Sequence, residues 1–374
     1  MDEFWSGRRV LVTGDTGFAG TWLSALLRHR GAEVAGFSRR TGGDVLDAAA
    51  VREATRGVQI VFHLAAQALT SGGAAETFAV NVVGTVNVLD AAREEGAAVV
   101  FASTAAVYTR GAGGGEAAGA EGAGRGAAGG DPAGGGAPGR QASARNAAGG
   151  ECAGEVQAWP FREDDPIGPD DAYGASKAAA ELAGRAFRRS FGVPFAAGRT
   201  PNLLGGGDSG AGRLVPALVA AARRGEEPVL RTPNAAHQWL HVLDAAAGHL
   251  LVARRLLEDP DCPDAFNLAP DDAGTTVRDL AVRVGRLGEE ARGGGEAPER
   301  PREEREAREA RADAEGDAAR AARTLDASRA KAFLGWRPVW DLDAALARTL
   351  AWRGDADTAA QVAEHDGSPT LSRR

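Results

Sequence analysis

Apolar positions along the chain fall into short runs at two spacings, and their alternation predicts a β-α-β order. Arg8-Arg-Val-Leu-Val-Thr13 is a short β-branched run, followed by Gly14-Asp-Thr-Gly17-Phe-Ala-Gly20 and then the helical Thr21-Trp-Leu-Ser-Ala-Leu-Leu-Arg28. Glu33-Val-Ala-Gly-Phe37 reads as a second strand. Gln59-Ile-Val-Phe-His-Leu-Ala-Ala66 is almost continuously apolar, as a strand buried on both faces of a parallel sheet must be. Residues Asn81 to Ala92 carry apolar positions at helical spacing, and Ala97-Ala-Val-Val-Phe-Ala-Ser103-Thr104 is the next strand. Later come the strand Pro194–Arg199, an amphipathic helix from Arg213, a short strand Pro228-Val-Leu-Arg231, and a final helix Asp341–Trp352 with a frayed tail beyond Gly354.

Two stretches break this pattern. From about Thr109 to Val156 the chain is mostly Gly and Ala, with almost no large apolar side chains to offset the entropy of ordering it, which predicts a disordered insertion. Between Glu289 and Arg323 a charged run with opposite charges at helical spacing predicts a solvated helix or flexible excursion.

Composition narrows the function classes. The 374 residues are 44% hydrophobic, enough for a substantial core. A net charge of −8, with no basic stripe interleaved with aromatics, argues against nucleic acid and favours small-molecule partners. The two cysteines, Cys152 and Cys262, have no metal-ligand spacing around them, so no metal site is expected. An acidic start, and no apolar run near the ~20 residues of a membrane span, predict a cytoplasmic protein.

The candidate chemistry sits in two motifs. In the first, Gly14 permits a tight turn, Gly17 lets backbone approach a pyrophosphate, and Gly20 lets helix pack on strand; a dinucleotide would then rest on the helix N-terminus. Ser38-Arg39-Arg40 follows the second strand where NAD-preferring proteins place a carboxylate, so the arginines tilt the expectation from NAD towards NADP. In the second motif, Asp171-Ala-Tyr-Gly-Ala-Ser-Lys177, a phenol and an ammonium share one helix face. A free tyrosine titrates near ~10, and a lysine one turn away would stabilise its phenolate. Among 43 Lys+Arg the only lysines are Lys177 and Lys331, which marks Lys177 as a place where a compact ammonium is needed. His63 reads as a packed strand-end histidine. Arg231 reads equally as a phosphate contact or a solvated strand end.

In order along the chain, Gly14-x-x-Gly17-x-x-Gly20, His63-Leu64-Ala65-Ala66, Asn81, Thr104 with Tyr108, Tyr173-x-x-x-Lys177 and Asn202 resemble the extended short-chain dehydrogenase/reductases, the nucleotide-sugar epimerases and dehydratases. Stretches such as Phe161–Pro166, Trp239-Leu-His-Val242 and Leu334–Leu342 look most like the cytidine-diphosphate-glucose 4,6-dehydratase group. The resemblance covers most of residues 8 to 353. It implies an α/β, Rossmann-type doubly wound parallel sheet over residues 1–200, interrupted by the Gly/Ala-rich insertion, and a smaller, mainly substrate-binding C-terminal domain over 201–354.

By the same resemblance Tyr173 removes a sugar hydroxyl proton, Lys177 lowers its pKa and holds the nicotinamide ribose, and Thr104 bonds the same hydroxyl while hydride passes from C4 to the nicotinamide. Around the cofactor the expected residues are Thr16, Phe18, Ser38, Arg39, Asp44, Val45, Leu64, Ala65, Ala66 and Asn81, and around the substrate Asn202, Arg213 and His237, with Arg231 if it is the phosphate contact. Family epimerases are often dimers, so a homodimer is expected on resemblance alone.

Three departures bear on the reaction. Dehydratases of the family carry an acid directly after the position of Thr104, with a second acidic or basic residue beside it; Ala105 and Ala106 can take no part in proton transfer, which tilts the expectation to epimerisation. The family's diphosphate-clamping arginine before the Trp-x-His-Val motif is replaced by His237, beside Gln238. The loop after Gln67, Thr70–Ala75, is short and small. A 4,6-dehydratase, a simple ketoreductase and a cofactor-binding regulator without turnover are the alternatives.

Overall fold

The computed structural model describes residues 3–68, 73–109, 160–210, 212–293 and 323–368. The Gly/Ala-rich insertion beyond Thr109, the centre of the charged run and part of the loop after Gln67 lie outside the described residues. All described residues belong to one compact unit.

Its frame is a six-stranded parallel sheet of β1 (Arg9–Thr13), β2 (Glu33–Phe37), β3 (Ile60–His63), β4 (Ala98–Thr104), β5 (Phe195–Thr200) and β9 (Ala265–Asn267). The spatial order is β2-β1-β3-β4-β5-β9. Side chains alternate across each strand, so one sheet supplies two cores. Val10, Val12, Ile60, Phe62, Ala98 and Val100 face one way, against α1 (Phe18–His29) and α7 (Val242–Glu258). Leu11, Val61, Val99, Phe101 and Phe195 face the other, towards α2 (Ala48–Thr55), α4 (Gly84–Glu95) and α5 (Ala172–Phe191). Covering on both faces explains why these strands are nearly all apolar. The chain leaves β1 to one side and returns for β3 on the other, which opens a crevice at the strands' carboxyl ends.

After residue 200 the chain adds α7 and β9 to this frame, and also builds a smaller layer. There β6 (Asn202–Leu204) pairs in parallel with β8 (Trp239–His241), and β7 (Ala236–His237) pairs antiparallel with β10 (Thr275–Thr276). Helices α6 (Leu214–Arg224) and α8 (Val277–Ala291) pack beside these, followed by α9 (Ser328–Leu334) and α10 (Leu342–Ala351).

Three expectations are corrected. Beyond Gly354 the chain is not frayed as far as Asp366: Asp355–Asp366 forms a further helix, α11. Tertiary contacts hold it, with Val362 and His365 buried, Arg30 bonding Asp366 at 2.5 Å, and His365 Nε2 lying 2.9 Å from Asp244. Residues 228–231 make no strand, and Val229 stands 78% exposed. Nor does the helical run begin at Asn81. Helix α3 (Ala74–Phe78) passes into a π turn at Ala79–Val83 before α4, and Asn81 sits in that turn.

Candidate active site

β1 delivers the chain into a turn that only glycine can make. Gly14 has φ +72°, and a Cβ there would lie 2.9 Å from the Ala65 nitrogen. Gly17 N donates to Gly14 O at 2.9 Å and caps α1 without a side-chain acceptor, so the first amides of α1 stay open to an anion. A Cβ on Gly20 would collide with the Gly14 carbonyl, which keeps the helix tight against the turn. These features fit a dinucleotide pyrophosphate.

Other predicted cofactor residues rim the same strand ends. Thr16 and Ser38 share a hydroxyl bond of 3.0 Å. Arg39 and Arg40 are exposed, with Arg39 3.4 Å from Gln67 and 4.0 Å from Glu76. Exposed Asp44 accepts from Leu46 N at 2.9 Å, while Val45 is buried and its carbonyl takes the Asn87 amide. Leu64 N and Ala65 N both donate to Thr13 at 3.2 Å, and Ala66 is exposed beyond them. The Phe18 ring faces Gly205. Asp15, absent from the sequence reading, folds onto Gly36 of β2, where any Cβ would displace it.

His63 is the packed strand-end histidine expected. It bonds Thr13 at 2.7 Å and Thr85 at 2.9 Å, and burial, aided by the Lys177 charge, lowers its pKa to about 3. Asn81 is wholly committed to the scaffold. Its Oδ1 accepts from Gln67 N at 2.7 Å, and its Nδ2 donates to Gln67 O at 3.0 Å and to Ser176 Oγ at 2.8 Å. It is therefore a positioning residue, tying the loop after β3 to the helix of Tyr173 and Lys177.

That helix, α5, is capped by Asp171, which accepts from Gly174 N at 2.7 Å. A Cβ on Gly174 would collide with the Ala106 carbonyl, so the start of the helix that carries Tyr173 abuts the turn after β4, although Tyr173 is not among the residues that line the cavity at Thr104. Thr104 closes that turn, its Oγ1 accepting from Ala106 N at 3.2 Å. Burial pushes the Tyr173 phenol upward, and the Arg213 charge opposes this. Lys177 is 3% exposed, its Nζ 4.0 Å from the centre of the Phe101 ring. Burial lowers its pKa to about 7 against the pull of Glu181. Arg213 thus adds a cation that favours the Tyr173 phenolate, and Lys177 is itself desolvated.

Thr104, Ala105, Ala106, Asn202, His237 and Arg323 line a cavity above this turn, with Thr232 and Gln238. Arg213, the N-cap residue of α6, pairs with Asp208 at 3.0 Å, outside the lining but acting on Tyr173. Arg231 is exposed and outside the lining; its neighbour Thr232 is the residue that faces in. Sequence reasoning missed Arg323, which lies near the end of the charged run. It also missed a buried polar network around Arg199. Buried Arg199 bonds Glu181 at 2.5 Å and the Tyr108 hydroxyl at 2.5 Å, Glu181 accepts from Ser103 at 2.7 Å, and Tyr108 donates to Asn267 at 2.9 Å. One signal was available: Glu181 follows Lys177 by four residues, on the same helix face.

Among the described residues no cluster of side chains suited to a metal ion occurs, and no helix is long and apolar enough to cross a membrane.

The pattern of the NAD dependent epimerase/dehydratase family matches residues 10–123, and that of the GDP-mannose 4,6 dehydratase family matches 140–349, more than half of the chain. CDP-glucose 4,6-dehydratase of Salmonella typhimurium is 28% identical over 94% of this chain and 91% of its own. UDP-glucose 4-epimerase of Thermotoga maritima, solved with UDP-glucose, shares the fold with a TM-score of 0.65 at 21% identity, covering 91% of this chain and 97% of that one. dTDP-glucose 4,6-dehydratase of Bacillus anthracis, solved with NAD, has a TM-score of 0.65 at 17% identity, covering 92% and 96%. With the glycine turn, the Tyr173/Lys177 helix and the parallel sheet, these matches place the chain in the extended short-chain dehydrogenase/reductases, as a member of their NAD-dependent nucleotide-sugar epimerase/dehydratase family.

Proposed function

We propose that the protein oxidises a nucleotide-activated sugar transiently at C4, and that epimerisation is favoured over 4,6-dehydration. The observation that carries this reading is the cavity wall after Thr104. Ala105 and Ala106 line it, and no carboxylate does among the described residues. Dehydration needs a group to take the C5 proton and another to protonate the departing C6 hydroxyl. Epimerisation needs proton transfer only at the C4 oxygen, and a cavity in which the ketone can turn over.

In this reading Tyr173 takes and returns the C4 hydroxyl proton while Thr104 holds that oxygen. Lys177 lowers the Tyr173 pKa and holds the nicotinamide ribose, and the Arg213 charge also favours the phenolate. When bound, the nicotinamide supplies reversible two-electron oxidation of the carbinol. The open amides of α1 hold its pyrophosphate. Arg39 and Arg40 favour a 2′-phosphate, hence NADP. The functional unit in this reading is a homodimer, on family resemblance alone.

A second reading, 4,6-dehydration, is supported by the near-complete span of the Salmonella relative and by His237, a titratable side chain in the cavity. Incubation with a panel of nucleotide-hexoses and NAD or NADP, followed by liquid chromatography-mass spectrometry, separates the two. A product of unchanged mass with new retention supports epimerisation. Loss of one water establishes dehydration and directs attention to His237, and absence of any product argues against both.

A further inference from the structure

The structure assigns a substrate-anion contact to Arg323, and this assignment rests on the nucleotide-sugar reading. The position where the family's clamping arginine is expected holds His237, and its neighbour Gln238 has no amide group left for a ligand. Gln238 Nε2 donates to Pro270 O at 3.1 Å and Asp272 O at 2.8 Å, and its Oε1 accepts from Leu325 N at 2.8 Å. That last bond fixes the segment carrying Arg323, two residues away, against the strand end that carries His237.

Arg323 then reaches the cavity from a distant part of the chain. Its side chain is only 14% exposed, and its one pairing partner among the described residues is Asp170. Asp170 takes Nη2, while the Nε donor is buried and has no acceptor. A guanidinium presents its donors in a planar fork, and Arg323, a cavity-lining residue with one arm of that fork on Asp170, keeps donors for an anion with two acceptor oxygens. Of the other arginines expected at the substrate, Arg213 holds Asp208 and Arg231 stands outside the lining. We therefore infer that Arg323 grips a phosphate of the nucleotide diphosphate, and that Asp170 competes with it.

The test is calorimetric titration of the full chain, loaded with NADP or NAD, using CDP, UDP and inorganic pyrophosphate as probes and cytidine as the uncharged control. Arg323→Gln should weaken diphosphate binding by about 10- to 100-fold and leave cytidine unchanged. Arg323→Lys keeps the charge but loses the fork, and should fall between the two. Asp170→Asn removes the competitor and should tighten diphosphate binding, an effect opposite to that of a lost structural contact. Wild-type affinity for a diphosphate in Arg323→Gln, or no tightening in Asp170→Asn, overturns the role of Arg323 alone. Failure of the wild-type protein to bind any of the diphosphates overturns the nucleotide-sugar reading as well.

Discussion

The Lys177 ammonium lies 4.0 Å from the centre of the Phe101 ring, and no ion pair or hydrogen bond reaches it from the described residues. Carboxylates are close by, for Glu181 is one helical turn away, but Glu181 is occupied by Arg199, Arg185 and Ser103. The lysine is held desolvated on an aromatic face and left for something else to satisfy.

This arrangement costs stability, with a defined pH dependence. The folded pKa of about 7 lies below the free value of 10.5, so between these values the unfolded chain binds more protons. Stability of the cofactor-free protein should therefore rise with pH from about 7 towards 10, the penalty being complete below 7. Lys177→Met should raise the unfolding free energy at pH 6–7 by about 1–3 kcal/mol while abolishing turnover. Thermal denaturation across pH checks this; a lower melting temperature in the variant would show that Lys177 contributes net stability.

Tyr173→Phe should lower kcat by about 10²–10⁴-fold and leave cofactor binding intact, since no described residue uses its hydroxyl as a structural bond. Cofactor fluorescence titration and initial rates together read the result. An active variant would remove Tyr173 from the mechanism.

Arg213 acts on the Tyr173 phenol through charge, so its removal should shift a titration as well as weaken binding. In Arg213→Gln the acid limb of the kcat/KM profile should move to higher pH, because the phenolate loses a cation that favours it. A drop that is uniform in pH would assign Arg213 to substrate contact only.

Asn81→Ala would strand the Gln67 backbone N–H and C=O and the Ser176 hydroxyl interaction in a buried place. The expected loss is about 2–4 kcal/mol in urea denaturation, with a raised KM for the cofactor. A variant with unchanged stability would show that the loop and α5 are held by other contacts.

At the glycine turn, Gly20→Ala should weaken cofactor binding more than it affects the distant second layer, because its Cβ would drive α1 away from the Gly14 carbonyl. Cofactor dissociation constants, measured beside far-ultraviolet circular dichroism to confirm folding, test it; retained affinity would mean that the turn adapts.

The sequence alone determined the elements whose signals are local. Short apolar runs along β1 and β3, helical spacing along α1, and the glycines between β1 and α1 specify a strand-turn-helix regardless of what packs around it, and the pair Tyr173/Lys177 is close because one helix turn makes it so. What needed the tertiary structure depended on distant partners. Asp355–Asp366 is weakly apolar and reads as tail until Arg30 and Asp244 meet Asp366 and His365. A further charge that favours the Tyr173 phenolate comes from Arg213, forty residues along the chain, and burial, which no local pattern reports, lowers the pKa of Lys177. Arg323 joins the cavity from a segment that Gln238 holds through Leu325 across a separation of 87 residues. Periodicity encodes which face a side chain takes; only the folded chain decides which charges share one low-dielectric space.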